Sequence, residues 1–222
     1  MPLNHTLVMD LHGFWHAGSG QSAGALADAL VQRSPEGLPV VGGRHLKGLL
    51  RHALHKAECL GWFSNLKLSD GPAETLETLI FGDASQEQSR FHTLAGMLVL
   101  GDGRLPEEES AWLAHPEQAP VRQNLFRRLS STAMTERGTA RKDSLRTMEV
   151  TVPMSLQAQI RFELTAADDH HLAQQKSWLE SADPWAPIRE ACTLIDSLGA
   201  SRSRGLGEAQ LYLADNNEEG RA

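Results

Sequence analysis

Two stretches that mix glycine with basic residues are where this chain can do chemistry. The first is Gly42-Gly43-Arg44-His45-Leu46-Lys47-Gly48-Leu49-Leu50-Arg51, and the second is Gly199-Ala200-Ser201-Arg202-Ser203-Arg204-Gly205-Leu206-Gly207. Glycine lets a backbone approach a ligand closely, and arginine presents a planar fork of donors that matches phosphate. In the first stretch the glycines precede a helical pattern. Free N–H groups and the helix dipole would favour an anion there. Neither stretch has the Gly-x-x-x-x-Gly-Lys-Ser/Thr spacing of a triphosphate loop, nor the Gly-x-Gly-x-x-Gly of a dinucleotide site after a strand. A nucleotide-binding enzyme using Gly199 to Gly207 remains a distant alternative.

The net charge of −7 argues against a nucleic-acid binder when taken as a sum. Its distribution argues the other way. Between Arg122 and Arg146 there are seven Lys or Arg (122, 127, 128, 137, 141, 142, 146) against Glu136 and Asp143. Acid collects at Glu107-Glu108-Glu109, Asp168-Asp169 and Asp215 to Glu219, which read as solvated surface. A basic groove on an acidic body can hold a polyanion locally. Cys59 and Cys192 sit in helical patterns among Leu and Ala and are expected to be buried thiols. They lack metal-ligand spacing, His170-His171 lies among acids and is expected on the surface, and no His/Cys cluster suggests a metal. No apolar run approaches the roughly 18 residues that span a membrane. The start, Met1 to Asp10, does not resemble a signal peptide, so a reducing cytoplasm is the expected compartment.

These residues need elements to position them. Leu7, Met9 and Leu11 alternate with Val8, Asp10 and His12, which predicts a strand within His5 to Trp15. A small-residue loop, Ala17 to Gly24, follows; then a short extended segment, Asp28 to Arg33, and a Ser34-Pro35-Glu36-Gly37 turn. Leu46, Leu49, Leu50, Ala53, Leu54, Ala57 and Leu60 recur at helical spacing, with Arg44, Lys47, Arg51 and His55 on another face. Glu74 to Phe81 predicts a short helix, Gly96 to Leu100 a buried strand, and residues 101–121 a surface loop. Arg122 to Val152 has few large apolar residues and reads as an extended, partly mobile insertion. Met154 to Leu164 alternates strictly and predicts a strand. Asp168 to Leu179 and Pro184 to Leu198 predict helices, and Ala209 to Leu213 a last strand. Without the insertions the order is strand, helix, strand, strand, helix, strand. That is an α+β chain with the ferredoxin-like βαββαβ order, shared with the RNA recognition motif.

The motifs resemble those of RAMP proteins of type III CRISPR complexes. There a first strand leads through Pro-x-x-x-Gly-Ser-x-Leu-Lys-Gly-x-x-Arg, matched here by Pro39 to Arg51 with Arg44-His45 in place of two small hydroxyl residues. The family's Leu-Phe-Gly is matched by Ile80-Phe81-Gly82, and its late Leu-Gly-Gly-x-x-Ser-Arg-Gly-x-Gly by Leu198 to Gly207. The resemblance is to the repeated backbone subunit of the type III-A kind. It implies one RAMP domain over residues 1–222 with a thumb insertion at 122–152. It implies binding to CRISPR RNA and target RNA, a head-to-tail filament with copies of itself, and contact with other effector subunits, with no membrane. The thumb of such a subunit displaces a base at about every sixth position of the guide–target duplex, where pairing rather than protein reads sequence; Met134 or Met148 would wedge there. The resemblance nominates Asp28 for target-RNA cleavage, as base or as ligand to Mg²⁺ or another divalent metal. It nominates His16, Lys47, Arg51, Arg202, Arg204 and Gly205, with Arg137 in the thumb, for RNA binding. The rival readings are a non-cleaving scaffold subunit and a guide-processing endoribonuclease of the same superfamily.

Overall fold

The computed structural model describes residues 3–24, 27–83 and 93–214. The elements in chain order are β1 (Asn4–Leu11), α1 (Gly43–Cys59), α2 (Leu76–Phe81), β2 (Leu98–Leu100), α3 (Glu107–Ala114), α4 (Ala119–Asn124), β3 (Phe126–Ser131), β4 (Arg146–Thr151), β5 (Met154–Phe162), α5 (Asp169–Leu179), α6 (Ala186–Cys192) and β6 (Ala209–Ala214). No helix among the described residues is long and apolar enough to cross a membrane.

The period-two segments form the sheet, in the order β2-β5-β1-β6, with every pair antiparallel. Strand β5 separates β1 from β2, and β1 separates β5 from β6, so each helical crossover spans one intervening strand. This is two interlocked split βαβ units in the βαββαβ order. Register follows the apolar pattern: Leu7 faces Ala158 and Leu213, and Met9 faces Leu156 and Leu211. One face of the sheet is therefore apolar and covered, while Gln157, Gln159 and Arg161 of β5 lie on the exposed face. A one-residue slip would exchange the two sets, which is why the register is firmly specified.

Helix α1 buries Leu46, Leu50, Ala53, Leu54 and Ala57, with the three leucines fully out of water. Each buried leucine stabilises the fold by about 1.5–3 kcal/mol. Trp185, at the start of α6, stacks on Phe162 at 4.0 Å and meets the edge of His5 at 4.8 Å. The Asp168 carboxylate accepts from the N–H groups of His170 and His171 and starts α5. The Glu58 carboxylate accepts from the Leu76 and Glu77 N–H groups and ties α2 to α1.

Several expectations are corrected. Cys59 is exposed, because it falls outside the α1 stripe that ends at Ala57; Cys192 is buried, and burial pushes its thiol up to about 12. His171 is buried rather than on the surface, its Nε2 2.9 Å from the Ala95 carbonyl oxygen. Residues 101–121 are not a plain loop but carry α3 and a 3-10 turn (Pro116–Gln118) leading into α4. Within 122–152, α4 ends at Asn124 and β3 and β4 then form an antiparallel hairpin, Phe126 pairing with Thr151 and Ser131 with Arg146. The helix expected to run to Leu198 stops at Cys192.

Candidate nucleic-acid interface

The loop from Gly199 to Gly207 closes on itself and is sewn to the segment after β1. Leu198 N–H donates to the Gly207 carbonyl at 2.7 Å, Gly207 N–H to Phe14 at 2.8 Å, and Ala200 N–H to His16 at 2.8 Å. Gly199 has φ +92°, and a Cβ there would lie 2.4 Å from the His16 carbonyl oxygen. Close packing and left-handed backbone both require glycine at this point. The closure pushes Arg202-Ser203-Arg204 outward as a 3-10 turn, held between Ser201 at φ 60° and Gly205 at φ 81°. Arg202, Arg204 and Gly205 are exposed, and neither arginine has an ion-pair partner among the described residues. The His45 imidazole at the start of α1 has its pKa lowered by partial burial and by the Arg202 guanidinium. The two glycine-basic motifs, far apart in sequence, thus lie within electrostatic reach of each other.

The α1 N-terminus differs from the expectation of a free anion site. Gly43 N–H donates to Asp102 Oδ1 at 2.9 Å, so a carboxylate of the chain already occupies that position. Gly43 packs so tightly on β2 that a Cβ would lie 2.7 Å from the carbonyl oxygens of Leu100 and Gly101. The nominated cations of α1 are also engaged. Lys47 Nζ donates to the Leu98 carbonyl at 2.8 Å, and its pKa is lowered by burial and by neighbouring Arg51. Arg51 Nε donates to Glu77 Oε1 at 2.6 Å, and its terminal nitrogen to the Gly82 carbonyl at 2.9 Å. Lys47 and Arg51 therefore bind α1 to β2 and to the Phe81-Gly82 turn. Arg44, one residue into the helix, is exposed instead.

His16 is buried, with Nδ1 2.6 Å from the Glu149 carbonyl oxygen. Its imidazole supports the loops around it instead of facing solvent. Asp28 is exposed and sits against β4 near the distal end of the β3–β4 ladder. The segment Asp28 to Val31 runs parallel to β4: Asp28 N–H donates to Thr147 at 2.8 Å, Thr147 N–H to Asp28 Oδ2 at 2.7 Å, and Glu149 N–H to Ala29 at 2.9 Å. Glu149 secures the far end. Its carboxylate accepts from Val31 N–H at 3.2 Å and from Arg33 at 2.5 Å, while the Arg33 guanidinium lies 3.7 Å from the Phe126 ring centroid. Glu149, Asp102 and Glu77 are the residues sequence reasoning missed. Each acts across a long stretch of chain, and no local spacing marks it.

The hairpin divides its cations in two. Arg122 donates to the Leu113 and His115 carbonyls, and Arg127 to Asn124 and Phe126. Arg128, Arg137, Arg141, Lys142 and Arg146 form no ion pair among the described residues, and all five are exposed. Met134 and Leu145 are 62% and 71% exposed near the tip, whereas Met148 is half-buried and bridges to Ala29. No group of three or more His, Cys, Asp or Glu side chains among the described residues is arranged to hold a metal. A carboxylate oxygen is a suitable donor for Mg²⁺, which often takes one or two protein carboxylates and completes its shell with phosphate oxygens and water. Asp28, exposed and with Oδ2 already accepting the Thr147 N–H, would be the residue to hold such an ion, which would supply charge stabilisation at phosphate.

Among the described residues, cations without ion-pair partners lie on a closed glycine loop and on a hairpin of an α+β fold. The family model for the RAMP superfamily matches residues 9–210, and the chain belongs to that superfamily. Among solved structures, a chain of a type III-B Cmr-beta complex bound to cognate target RNA superposes with TM-score 0.62 and 9% identity, covering 96% of this chain and 97% of that one. The apo state of the Cmr-beta complex gives TM-score 0.56 at 9% identity, covering 96% and 98%. A type IV-B CRISPR complex gives TM-score 0.54 at 16% identity, covering 99% and 93%. The sequence finds no match among curated proteins.

Proposed function

We propose that this chain is an RNA-binding backbone subunit of a CRISPR effector complex, one RAMP domain whose hairpin 122–152 serves as a thumb, and that it cuts guide-paired target RNA through Asp28. The observation that carries the reading is the pairing of Asp28 with Thr147. It puts a solvent-facing carboxylate against strand β4, near the distal end of the β3–β4 ladder, in a hairpin bearing five unpaired cations. Arg202 and Arg204 supply a second set of phosphate contacts. All of these are side-chain cations without base-reading geometry, which suits recognition of a backbone whose sequence is read by pairing. Asp28 acts on a displaced nucleotide: its carboxylate draws the proton from the 2′-OH while the cations hold the phosphate in line. The 2′-oxygen bonds to the adjacent phosphorus and the P–O5′ bond breaks, the 5′-oxygen leaving with the electron pair and taking a proton from water. Copies of the chain, other effector subunits, CRISPR RNA and target RNA are the partners, in the cytoplasm.

The same bond favours a second reading. Asp28 Oδ2 accepts the Thr147 N–H, so the residue also has a purely structural use, as in a non-cleaving scaffold. The two are separated by target cleavage in the assembled complex with Mg²⁺, comparing wild type, Asp28→Asn and Asp28→Ala. Asparagine keeps an acceptor for Thr147 but loses the charge. Loss of regular-interval cutting in Asp28→Asn, with assembly and RNA binding intact, supports the cleavage reading. Equal cutting by wild type and Asp28→Asn, or no cutting by wild type, leaves the scaffold.

A further inference from the structure

Away from the glycine loop and the hairpin, the exposed end of α1 and the first turn of α2 bring three side chains into series. Cys59 Sγ lies 3.6 Å from His55 Nε2, and His55 Nδ1 lies 2.8 Å from Glu77 Oε2. Glu77 is held in turn by Arg51 through its other oxygen, at 2.6 Å. Burial raises the Glu77 carboxyl pKa, but the hydrogen bonds from Arg51 and His55 outweigh it and hold the group below the usual carboxylate range. Glu77 is therefore an ionised, acceptor-only partner at neutral pH. It requires the imidazole proton on Nδ1, which leaves the Nε2 lone pair directed to the Cys59 thiol. A nucleophile, a base within reach and a third group fixing the base's tautomer form the arrangement that activates thiols.

We propose that Cys59 is a nucleophilic modification site, activated by His55 and Glu77, that exchanges with small-molecule disulfides. His55 Nε2 takes the S–H proton. The Cys59 thiolate attacks one sulfur of the disulfide, and that S–S bond breaks. The departing sulfur leaves with the electron pair and takes up a proton as a free thiol. One Cys59 thiol and one disulfide become one mixed disulfide and one small thiol, with no other oxidant. The second cysteine gives an internal contrast. Cys192 is buried, with its thiol pushed up to about 12, and is inert in the folded chain. The charged or titratable groups around Cys59 are Arg51, His52, His55, Lys56 and Glu58 on α1 and Glu77 on α2.

The experiment is alkylation of the full native chain by iodoacetamide from pH 6 to 9, read by mass at each cysteine, with oxidised glutathione as the disulfide probe. At pH 7, Cys59 labels several-fold faster in wild type than in His55→Asn, a change at an exposed side chain, while Cys192 stays unlabelled and glutathione adds once. His55→Asn removes this rate advantage. Glu77→Gln removes part of it, with circular dichroism confirming the fold. Equal labelling rates and equal pH profiles for wild type and His55→Asn overturn the proposal, whatever Glu77→Gln does to stability.

Discussion

Replacing Glu149 by alanine tests whether the Asp28 segment is held to the hairpin in the way described. Glu149 is 9% exposed, and its carboxylate accepts from Val31 N–H and from Arg33. Removal leaves the buried Val31 N–H without its acceptor, which costs about 1–3 kcal/mol. The Arg33 contact adds less: that side chain is 40% exposed, and a solvent-screened pair contributes at most about 1 kcal/mol. The sum is about 1–4 kcal/mol, which lowers Tm by roughly 2–16 °C for a chain of this size. Backbone bonds from Asp28 N–H to Thr147 and from Glu149 N–H to Ala29 remain, so the segment loosens at its far end first. Amide exchange shows this directly: Val31 speeds up most, Asp28 less, and the amides of β5 stay protected. Glu149→Gln keeps one acceptor and loses about half of the effect. Unchanged exchange at Val31 in Glu149→Ala would refute the linkage of the segment's far end to the hairpin through the Glu149 carboxylate.

Gly199→Ala places a methyl 2.4 Å from the His16 carbonyl oxygen at φ +92° and destabilises the chain by about 3 kcal/mol or more, whereas Gly205→Ala, with open space around it, costs only about 1 kcal/mol; thermal unfolding compares them. Arg202→Ala and Arg204→Ala leave stability within about 0.5 kcal/mol, since neither side chain has an ion-pair partner, but weaken RNA binding. Each also reduces the slope of log K against log salt by about 0.7, read by filter binding at several salt concentrations. Glu77 has a folded-state pKa below its unfolded value, so its contribution is complete above the ordinary carboxylate range and disappears as pH falls through the folded value. Acid titration of stability therefore shows a shallower acid limb for Glu77→Gln than for wild type.

The elements that were legible are those whose partners are regular. Leu156, Ala158, Ile160 and Phe162 alternate because β5 has one covered face, and α1 shows a 3.6-residue stripe because it packs on one side. Helix α3 was hidden behind Pro106 and three glutamates, a composition that also suits a loop, although proline just before a first turn rich in acid is a favourable helix start. The hairpin was hidden because both faces of β3 and β4 are largely polar, so no alternation marks them. The glycine loop at 199–207 was legible as a motif, and its arginines are displayed as expected. Lys47 and Arg51 lie in an equally recognisable motif, yet their partners, Leu98, Glu77 and Gly82, are fixed by tertiary packing that spacing along the chain does not encode.

The carboxylate of Asp102 at the head of α1 has a consequence for how binding can diversify. With that helix terminus satisfied internally, attraction for a polyanion rests on side chains carried by a solvent-facing turn and a protruding hairpin. A fixed backbone cradle would conserve one geometry wherever the fold persists. Projecting arginines and lysines can be added, moved or deleted one at a time without disturbing the sheet. The scaffold itself persists through large sequence change: the solved structures superpose on this chain over nearly its full length at 9–16% identity.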